Sequence, residues 1–358
     1  MMELRDDARW ALVVPTSMGV RLTPENREAV HVSSRFLMQA TSAETNVASV
    51  VAALGLPTKV LTNFVAGSPI SSLIKADLRA RGMAYEGPDK AQGDAWGYRH
   101  QFNIADSGFG GRAPRVWNDR AGEVGRDLAI ADFDLDRLFR DEGVKILHMS
   151  GLVAALSPRT SEFCVELAAR AKEHGTRVSF DLNHRASFWK GREEELSSAF
   201  TAIASHCDIL YGNEEDFQLT LGISGPRAGG TDIDEQIEQY REMILTIRQQ
   251  YPDALCIGTS LREVISANRH RWGMILWSQG EFAVAALREI EVLDRIGGGD
   301  ASVGGVLHGI LNGWSPERCM QFGWATGAMA ATTLRDHALP ADEAQVWSVW
   351  EGNARVVR

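Results

Sequence analysis

The stretch Asp294-Arg295-Ile296-Gly297-Gly298-Gly299-Asp300 decides how this chain can be interpreted, because its glycine run leads directly into a helical pattern over residues 301–313. Glycines let the backbone fold so that successive N–H groups face one point, and the N-terminus of the following helix adds positive charge. The stretch therefore predicts a cradle for a phosphate. Asp300 lies at its mouth, where a structural carboxylate would repel the anion but a base could deprotonate a hydroxyl. This arrangement favours phosphoryl transfer.

A glycine run before a helix is also typical of a simple tight turn. The helical pattern helps to separate these interpretations, because its apolar residues recur at spacings of three and four and predict a buried face. These residues are Val303, Val306, Leu307, Ile310 and Leu311. We therefore expect the helix to be anchored in a core, which favours the cradle.

Composition excludes several classes of protein. The chain has 358 residues, of which 44% are hydrophobic and 23% charged, as in ordinary globular proteins. Its net charge of −10 argues against nucleic-acid or acidic-membrane partners, which require a basic surface. No stretch is long enough to span a membrane, and residues 1–10 are too charged for a secretory signal, so we expect a cytoplasmic protein.

The four cysteines are far apart and form no CxxC pair. We interpret them as reduced core residues, without a metal or a disulfide framework. They are Cys164, Cys207, Cys256 and Cys319.

Short apolar runs alternate with helix-length segments, a pattern typical of a parallel α/β sheet. The predicted strands are 144–149, 177–182, 208–211 and 254–258. Between the first two, Ser157 and Pro158 predict the start of a helix and Gly175 its left-handed exit. Ligands of such sheets bind beyond the carboxyl ends of the strands.

One region departs from this alternation. Apolar residues occur at alternate positions from Trp96 to Ile104, residues 107–111 supply a turn, and residues 115–120 can return as a second strand. We predict a hairpin, which either covers an edge of the core or closes over a substrate.

The run DRIGGGDASVGG, residues 294–305, resembles the C-terminal signature of the ribokinase (PfkB) family of sugar kinases. Arg295 and the run FDLNHR, residues 180–185, are most similar to 2-keto-3-deoxygluconate kinases. The similarity also includes residues 43–46, although Thr41 and Ser42 replace two glycines usual in the family.

The resemblance implies a ribokinase-like α/β fold. We expect a single domain over residues 1–358, with a mostly parallel central sheet flanked by helices. A small β-sheet lid over the substrate site would be formed by residues 19–40 and 95–122. No Walker P-loop is present, so the fold is not of that class.

Phosphoryl transfer needs a base, stabilisation of the transferred group, and magnesium. We interpret Asp300 as the base, and Gly297, Gly298 and Gly299 as the group that stabilises developing charge. The residues expected to bind ATP are Asn213, Gly297, Gly299, Thr326 and Gly327. The small-residue helix predicted over residues 322–334 either borders the adenine or packs closely.

The resemblance implies metal roles for two aspartates. Asp216 ends a variant of the family's Asn-x-x-Glu motif, which organises magnesium-bound phosphate, although acidic residues there also suit a helix N-terminus. Asp294 matches a position that contributes to a monovalent-cation site, and a turn-capping role is the alternative. The expected cofactors are ATP and Mg²⁺, with K⁺ as a further candidate. Residues 258–262 lie where the family has a glycine-containing turn near the phosphates, and they do not keep that pattern.

For the acceptor, Arg120 and Arg185 match positions that contact the substrate in ketodeoxygluconate kinases, and arginine suits a carboxylate. Tyr98 and Asn46 match further sugar contacts, whereas Asn118 replaces a common tyrosine.

We therefore expect an ATP-dependent kinase of 2-keto-3-deoxygluconate or a related sugar acid. A kinase of a neutral sugar or nucleoside is one alternative, and a non-catalytic sugar-binding protein is another. The intact GGGD sequence argues against the second, because a binding protein needs no base beside a phosphate cradle. A homo-oligomer is left open.

Overall fold

A computed structural model describes residues 2–227, 229 and 232–355. The strands are β1 (Trp10–Pro15), β2 (Gly19–Pro24), β3 (Phe36–Thr41), β4 (Thr58–Leu61), β5 (Phe64–Val65), β6 (Ala84–Glu86), β7 (Asp89–Lys90), β8 (Gln101–Asp106), β9 (Arg115–Asp119), β10 (Val144–Ser150), β11 (Arg177–Asp181), β12 (Ile209–Tyr211), β13 (Cys256–Ser266), β14 (Arg269–Ser278) and β15 (Glu281–Glu291). The α-helices are α1 (Ala43–Ala53), α2 (Pro69–Ala80), α3 (Gly151–Ala154), α4 (Pro158–Glu173), α5 (Ala186–Trp189), α6 (Glu193–Ala204), α7 (Glu214–Leu221), α8 (Ile237–Gln250), α9 (Gly298–Leu311), α10 (Pro316–Ala330) and α11 (Glu343–Trp350).

The central sheet has nine strands in the order β15-β14-β13-β12-β11-β10-β1-β4-β6. Neighbours from β13 to β6 are parallel, whereas β14 and β15 are antiparallel additions at one edge. Adjacent residues of β10 enter opposite cores, Leu147 on the side of α4 and α6 and Ile146 on the side of α1, α9 and α10. The predicted mostly parallel sheet flanked by helices is confirmed.

The predicted strands and the helix between the first two are present in the structure, with strand ends within two residues of the prediction except at one place. The strand predicted over residues 254–258 continues to Ser266, because β14 pairs with it in antiparallel fashion. The Ser157 hydroxyl caps α4 by accepting from the N–H of Thr160 at 3.2 Å, and Gly175 has a φ of +72°. All four cysteines are free and buried, as predicted.

A separate four-stranded sheet has the order β3-β2-β8-β9. Its strands lie within residues 19–40 and 95–122, except for Thr41 at the end of β3. Arg21 on β2 is buried and forms an ion pair with Asp294, so the small sheet lies against the loop that leads into α9. That this sheet closes over an acceptor stays a prediction.

The predicted start of the hairpin at Trp96 is wrong, since β8 begins at Gln101. The side chain of Asp94 accepts from the N–H of Trp96 at 2.7 Å, and the N–H of Tyr98 bonds to the carbonyl of Gln92 at 2.9 Å. These local bonds replace strand pairing, because Asp side chains offer the backbone a turn instead. Trp96 itself is 92% exposed.

The helix after the glycine run starts three residues earlier than predicted, at Gly298, and ends at Leu311. The difference arises because Gly297 alone takes the left-handed conformation, which leaves Gly298 and Gly299 free to form the first turn. The predicted apolar stripe is buried apart from its last residue, Leu311, which is only partly so. The helix predicted over residues 322–334 is α10, which begins six residues earlier, at Pro316, and ends four residues earlier, at Ala330. Within the described part of the chain, no helix combines the length and the apolar character that crossing a membrane requires.

Candidate active site

The site lies at the carboxyl edge of the parallel strands. Ser150, Asp181, Tyr211 and Gly258 are side by side in the register of β10 to β13, and the loops beyond them face the same edge. In open α/β sheets this edge is where ligands bind. The N-terminus of α9 reaches it too, because Asp300 is close enough to Asp181 to influence its ionisation.

The glycine run builds the start of α9. Gly297 precedes the helix with a φ of +83°, and a Cβ added there would lie 1.7 Å from the carbonyl oxygen of Asp336. Only glycine fits both the conformation and the space. Since the first N–H groups of a helix have no intrahelical acceptor, those of Gly298, Gly299 and Asp300 are available to an anion. A Cβ on Gly299 would meet nothing within 4 Å.

We expect Gly297→Ala to lower the free energy of unfolding by more than about 1–2 kcal/mol, the cost of the left-handed conformation alone. Contact with Asp336 adds to this cost. The matched control is Gly299→Ala, which is expected to change that free energy by less than about 1 kcal/mol. Denaturant unfolding of both variants measures the difference, and equal losses would contradict this account of the turn.

Asp300 has the properties of a general base. It lies in the first turn of α9, is partly buried, and accepts a 2.8 Å hydrogen bond from Asn46 Nδ2. Burial raises the pKa of Asp300 to about 7, against the lowering effect of Asn46 and of the Arg185 charge. A pKa close to neutral pH is what a base needs for efficient proton transfer. The structure thus brings together three predicted residues, Asn46, Arg185 and Asp300.

Three further carboxylates near Asp300 were missed by the sequence reasoning. Burial, and then the charges of Asp216 and Asp300, raise the pKa of Asp181 well above its usual range. Burial also raises the pKa of Glu44, whose carboxylate accepts hydrogen bonds from two hydroxyls. Asp336 is buried as well, yet His337, Arg21 and Thr41 together lower its pKa to about 2. Asp181 could have been suspected from its place at a strand end.

The Asn213–Asp216 motif forms a capping box at the start of α7, with Asn213 N to Asp216 Oδ2 and Asp216 N to Asn213 Oδ1 both 2.8 Å. Asp216 Oδ1 accepts from the N–H of His184 at 2.8 Å. The structure therefore shows the alternative role of this motif, which is to cap the N-terminus of a helix. A magnesium ion bound mainly through substrate phosphates needs only one or two carboxylates. Asp216 lies close enough to Asp181 to raise its pKa, so two carboxylates are present at this edge, and the metal role of Asp216 stays a prediction.

Asp294 does not fit a monovalent-cation site. Its side chain is completely buried and pairs with the guanidinium of Arg21. Ser107 Oγ donates to Oδ2 at 3.0 Å, and the N–H of Ile296 donates to Oδ1 at 3.1 Å. The last bond is the turn-capping role that was the alternative. A guanidinium already supplies the positive charge at this carboxylate, and sequence reasoning could not foresee a partner 273 residues away.

On the predicted acceptor side, the arginines have different surroundings. Arg120 Nη1 donates to Glu123 Oε1 at 2.6 Å, and its guanidinium lies 5.1 Å from the centre of the Phe188 ring. Arg185 is exposed, and among the described residues it donates only to the carbonyl oxygen of His184, at 2.7 Å. The Tyr98 hydroxyl donates to Asp127. Arg185 thus has an unpaired charge beside Asp300, whereas Arg120 is already neutralised.

The predicted nucleotide contact of Thr326 disagrees with the structure. Thr326 is completely buried, and its hydroxyl donates to the carbonyl oxygen of Ala301 at 2.8 Å across the contact between α9 and α10. A Cβ added to Gly327 would lie 3.0 Å from the carbonyl oxygen of Gly298. Close packing, the alternative considered for this helix, explains its small residues, because two helix backbones approach each other there.

Comparison with known proteins agrees with this geometry. Residues 131–341 match the pfkB family carbohydrate kinase profile. The chain is 26% identical to the 2-dehydro-3-deoxygalactonokinase of Haloferax volcanii over 89% of its own length and 90% of that protein. A crystal structure of 2-dehydro-3-deoxygluconokinase from Thermotoga maritima has a TM-score of 0.85 and 25% identity, covering 96% of this chain and 100% of that one.

A putative ribokinase II from E. coli, solved in complex with ATP and Mg²⁺, has a TM-score of 0.75 and 15% identity, with 96% of this chain and 100% of that chain covered. At this identity the likeness shows the fold alone, which is ribokinase-like. Since the family profile covers more than half of the chain, this protein belongs to the PfkB family of carbohydrate kinases.

Proposed function

We propose that this protein transfers the γ-phosphate of ATP to a hydroxyl of 2-keto-3-deoxygluconate or a closely related sugar acid. The observation that carries the proposal is Asp300, a partly buried carboxylate with a pKa of about 7 at the N-terminus of α9. The two relatives named for 2-dehydro-3-deoxy sugar acids support the substrate class.

In the proposed reaction, Asp300 accepts the proton of the acceptor hydroxyl as the oxygen attacks phosphorus. Asn46 orients the carboxylate through its 2.8 Å hydrogen bond. The free N–H groups of Gly298 and Gly299 stabilise charge on the transferred group, because preorganised donors act strongly where water is excluded. Mg²⁺, when bound, would neutralise phosphate charge, and Asp216 and Asp181 are the residues that would hold it.

The acceptor's carboxylate is assigned to Arg185 and Arg120. Arg185 has no carboxylate partner among the described residues, so an anionic substrate would provide one. Arg120 would have to share its charge with Glu123. That ion pair favours the second candidate, a kinase of a neutral sugar, because a neutralised arginine gains less from a carboxylate.

A panel of acceptors tests the substrate class. ADP release is measured with 2-keto-3-deoxygluconate, its galactonate epimer, neutral hexoses and nucleosides, each with ATP and Mg²⁺. The proposal expects acceptor-dependent turnover with at least one of the two keto acids, and kcat/KM values far lower for the neutral compounds. Efficient turnover of a neutral sugar alone would favour the second candidate.

The small sheet gives a prediction about which ligand protects it from hydrogen exchange. Acceptor binding is expected to slow amide exchange across residues 96–120, because Tyr98 and Arg120 lie in that segment and would contact the sugar. ATP alone is expected to leave exchange there nearly unchanged. Hydrogen exchange with acceptor, with ATP, and with neither compares the three states. Protection by ATP and none by any sugar acid would mean that the segment is no acceptor lid.

Other expectations remain predictions. Because Asp294 is occupied by Arg21, no step in the proposed reaction uses K⁺. A cytoplasmic location and a homo-oligomeric state stay predictions.

A further inference from the structure

Three arginines approach the N-terminus of α9 from different parts of the chain. Arg185 lies four residues beyond Asp181, the last residue of β11, and Arg262 lies on β13 four residues beyond Gly258, which pairs with the last residue of β12. Arg295 lies in the loop that leads into α9. The topology therefore places three cationic side chains around one edge of the sheet.

These arginines repel one another, all three residues are exposed, and none forms an ion pair with another described residue. Burial and the charges of Arg295 and Arg185 lower the pKa of the Arg262 guanidinium to about 10, and Glu214 and Asp216 offset this only in part. Burial and the Arg185 charge likewise lower the pKa of Arg295. Within the part of the chain that the structure describes, neither Arg262 nor Arg295 forms an ion pair or a side-chain hydrogen bond.

Strand pairing brings the two unpaired arginines together. Val292, three residues before Arg295, bonds to the carbonyl of Asn268, and Arg262 pairs with Trp272. His270 on β14 lies between Asn268 and Trp272. It is buried, and its Nε2 has no hydrogen-bond partner among the described residues. Burial, Arg262 and Arg295 together lower the pKa of His270 to about 4, so the imidazole is neutral at physiological pH. The positive charge at this point of the site therefore comes from the two guanidinium groups.

We propose that Arg262 and Arg295 bind the β- and γ-phosphates of the nucleotide beside the free N–H groups of α9. A guanidinium offers a planar pair of donors that suits phosphate oxygens, and two of them match the several negative charges of a triphosphate. Residues 258–262 lie where the family has a glycine-containing turn near the phosphates, and this chain does not keep that turn. In this chain a charged side chain takes the place of that turn, while Arg185 remains on the acceptor side. The assignment rests on the proposed kinase function.

The test measures nucleotide affinity without any acceptor. Calorimetric titrations of ATP, ADP and AMP, with Mg²⁺ in the buffer, are made with the wild type, Arg262→Gln and Arg295→Gln. The matched control is Arg269→Gln on the neighbouring β14, where the arginine pairs with Glu289 at the surface. Each site variant is expected to weaken ATP and ADP binding by about tenfold or more and AMP binding by less than about threefold. The control should bind all three nucleotides like the wild type.

Two results would overturn the assignment. One is wild-type affinity for ATP in both site variants, and the other is an equal loss for ATP and AMP, which would place the arginines away from the terminal phosphates. If a glutamine variant does not fold, Arg262→Lys and Arg295→Lys keep the charge but lose the paired donors, and should still weaken ATP more than AMP. If the variants lose ATP affinity as expected but the wild type phosphorylates no sugar acid, only the proposed function is refuted. Turnover of a sugar acid with unchanged ATP affinity in the variants would refute only the arginine assignment.

Discussion

Asp300→Asn is expected to lower kcat by about 10²–10⁴-fold while changing acceptor affinity by less than about tenfold, since it removes the base and keeps the shape of the side chain. The amide can still contact Asn46, so the fold should be kept. Asp253→Asn, a change at an exposed turn residue, is the matched control and should leave kcat unchanged. Steady-state kinetics and melting temperatures of both variants give the comparison.

The pH profile of the wild type provides a second test of Asp300 as the base. Asp300 acts as a base only when deprotonated, and its pKa is raised to about 7. The value of kcat/KM should therefore fall as the pH drops below about 7, by tenfold per unit well below the pKa. This acidic limb should disappear in Asp300→Asn. Near-wild-type turnover in that variant would remove Asp300 from the mechanism.

Arg185→Ala and Arg120→Ala are each expected to weaken sugar-acid binding by roughly 2–5 kcal/mol if the carboxylate is buried against them, because truncation leaves that charge unpaired. ATP affinity should barely change. The measurement is the acceptor Kd from titration calorimetry, with Arg170→Ala on the outer helix α4 as a control for loss of an exposed arginine.

Arg185→Ala is the cleaner of the two variants. Among the described residues its guanidinium donates only to the carbonyl of His184, so removing it leaves no buried carboxylate without its cation. Arg120→Ala would leave Glu123, whose side chain is fully buried, without its cation and is expected to lower stability as well. Unchanged sugar-acid affinity in Arg185→Ala, together with good turnover of a neutral sugar, would show that the carboxylate assignment is wrong.

The parts of the fold that could be predicted from the sequence are those with local signals. The buried stripe of α9 and the cap of α4 at Ser157 follow from spacing and from residue type within one turn of helix. Alternation predicts that Trp96 lies in a strand, and alternation alone does not show that Asp94 bonds to the backbone two residues later. That bond stabilises a turn at residues 94–96 in place of a strand.

The residues of the candidate site also differ in whether a local sequence signal identifies them. Asp300 is recognisable because the glycine run, the base and the helix are adjacent in sequence. The partners of Asp294 could not be predicted, since Arg21 and Ser107 come from distant strands and loops. Thr326 was assigned to the nucleotide from the small size of its neighbours, yet small residues also let α10 approach α9 closely. Charge clustering such as that of Arg262 and Arg295 requires the folded chain.

The central claim is that this protein forms a phosphate ester of a sugar acid. Its most direct test is to incubate the wild type and Asp300→Asn with ATP, Mg²⁺ and 2-keto-3-deoxygluconate or its galactonate epimer, and to analyse the product by mass spectrometry and phosphorus NMR. The account predicts one new phosphate ester on a hydroxyl of the keto acid, formed by the wild type and nearly absent with the variant. Inorganic phosphate as the only product, or an ester formed solely on neutral sugars, would contradict it.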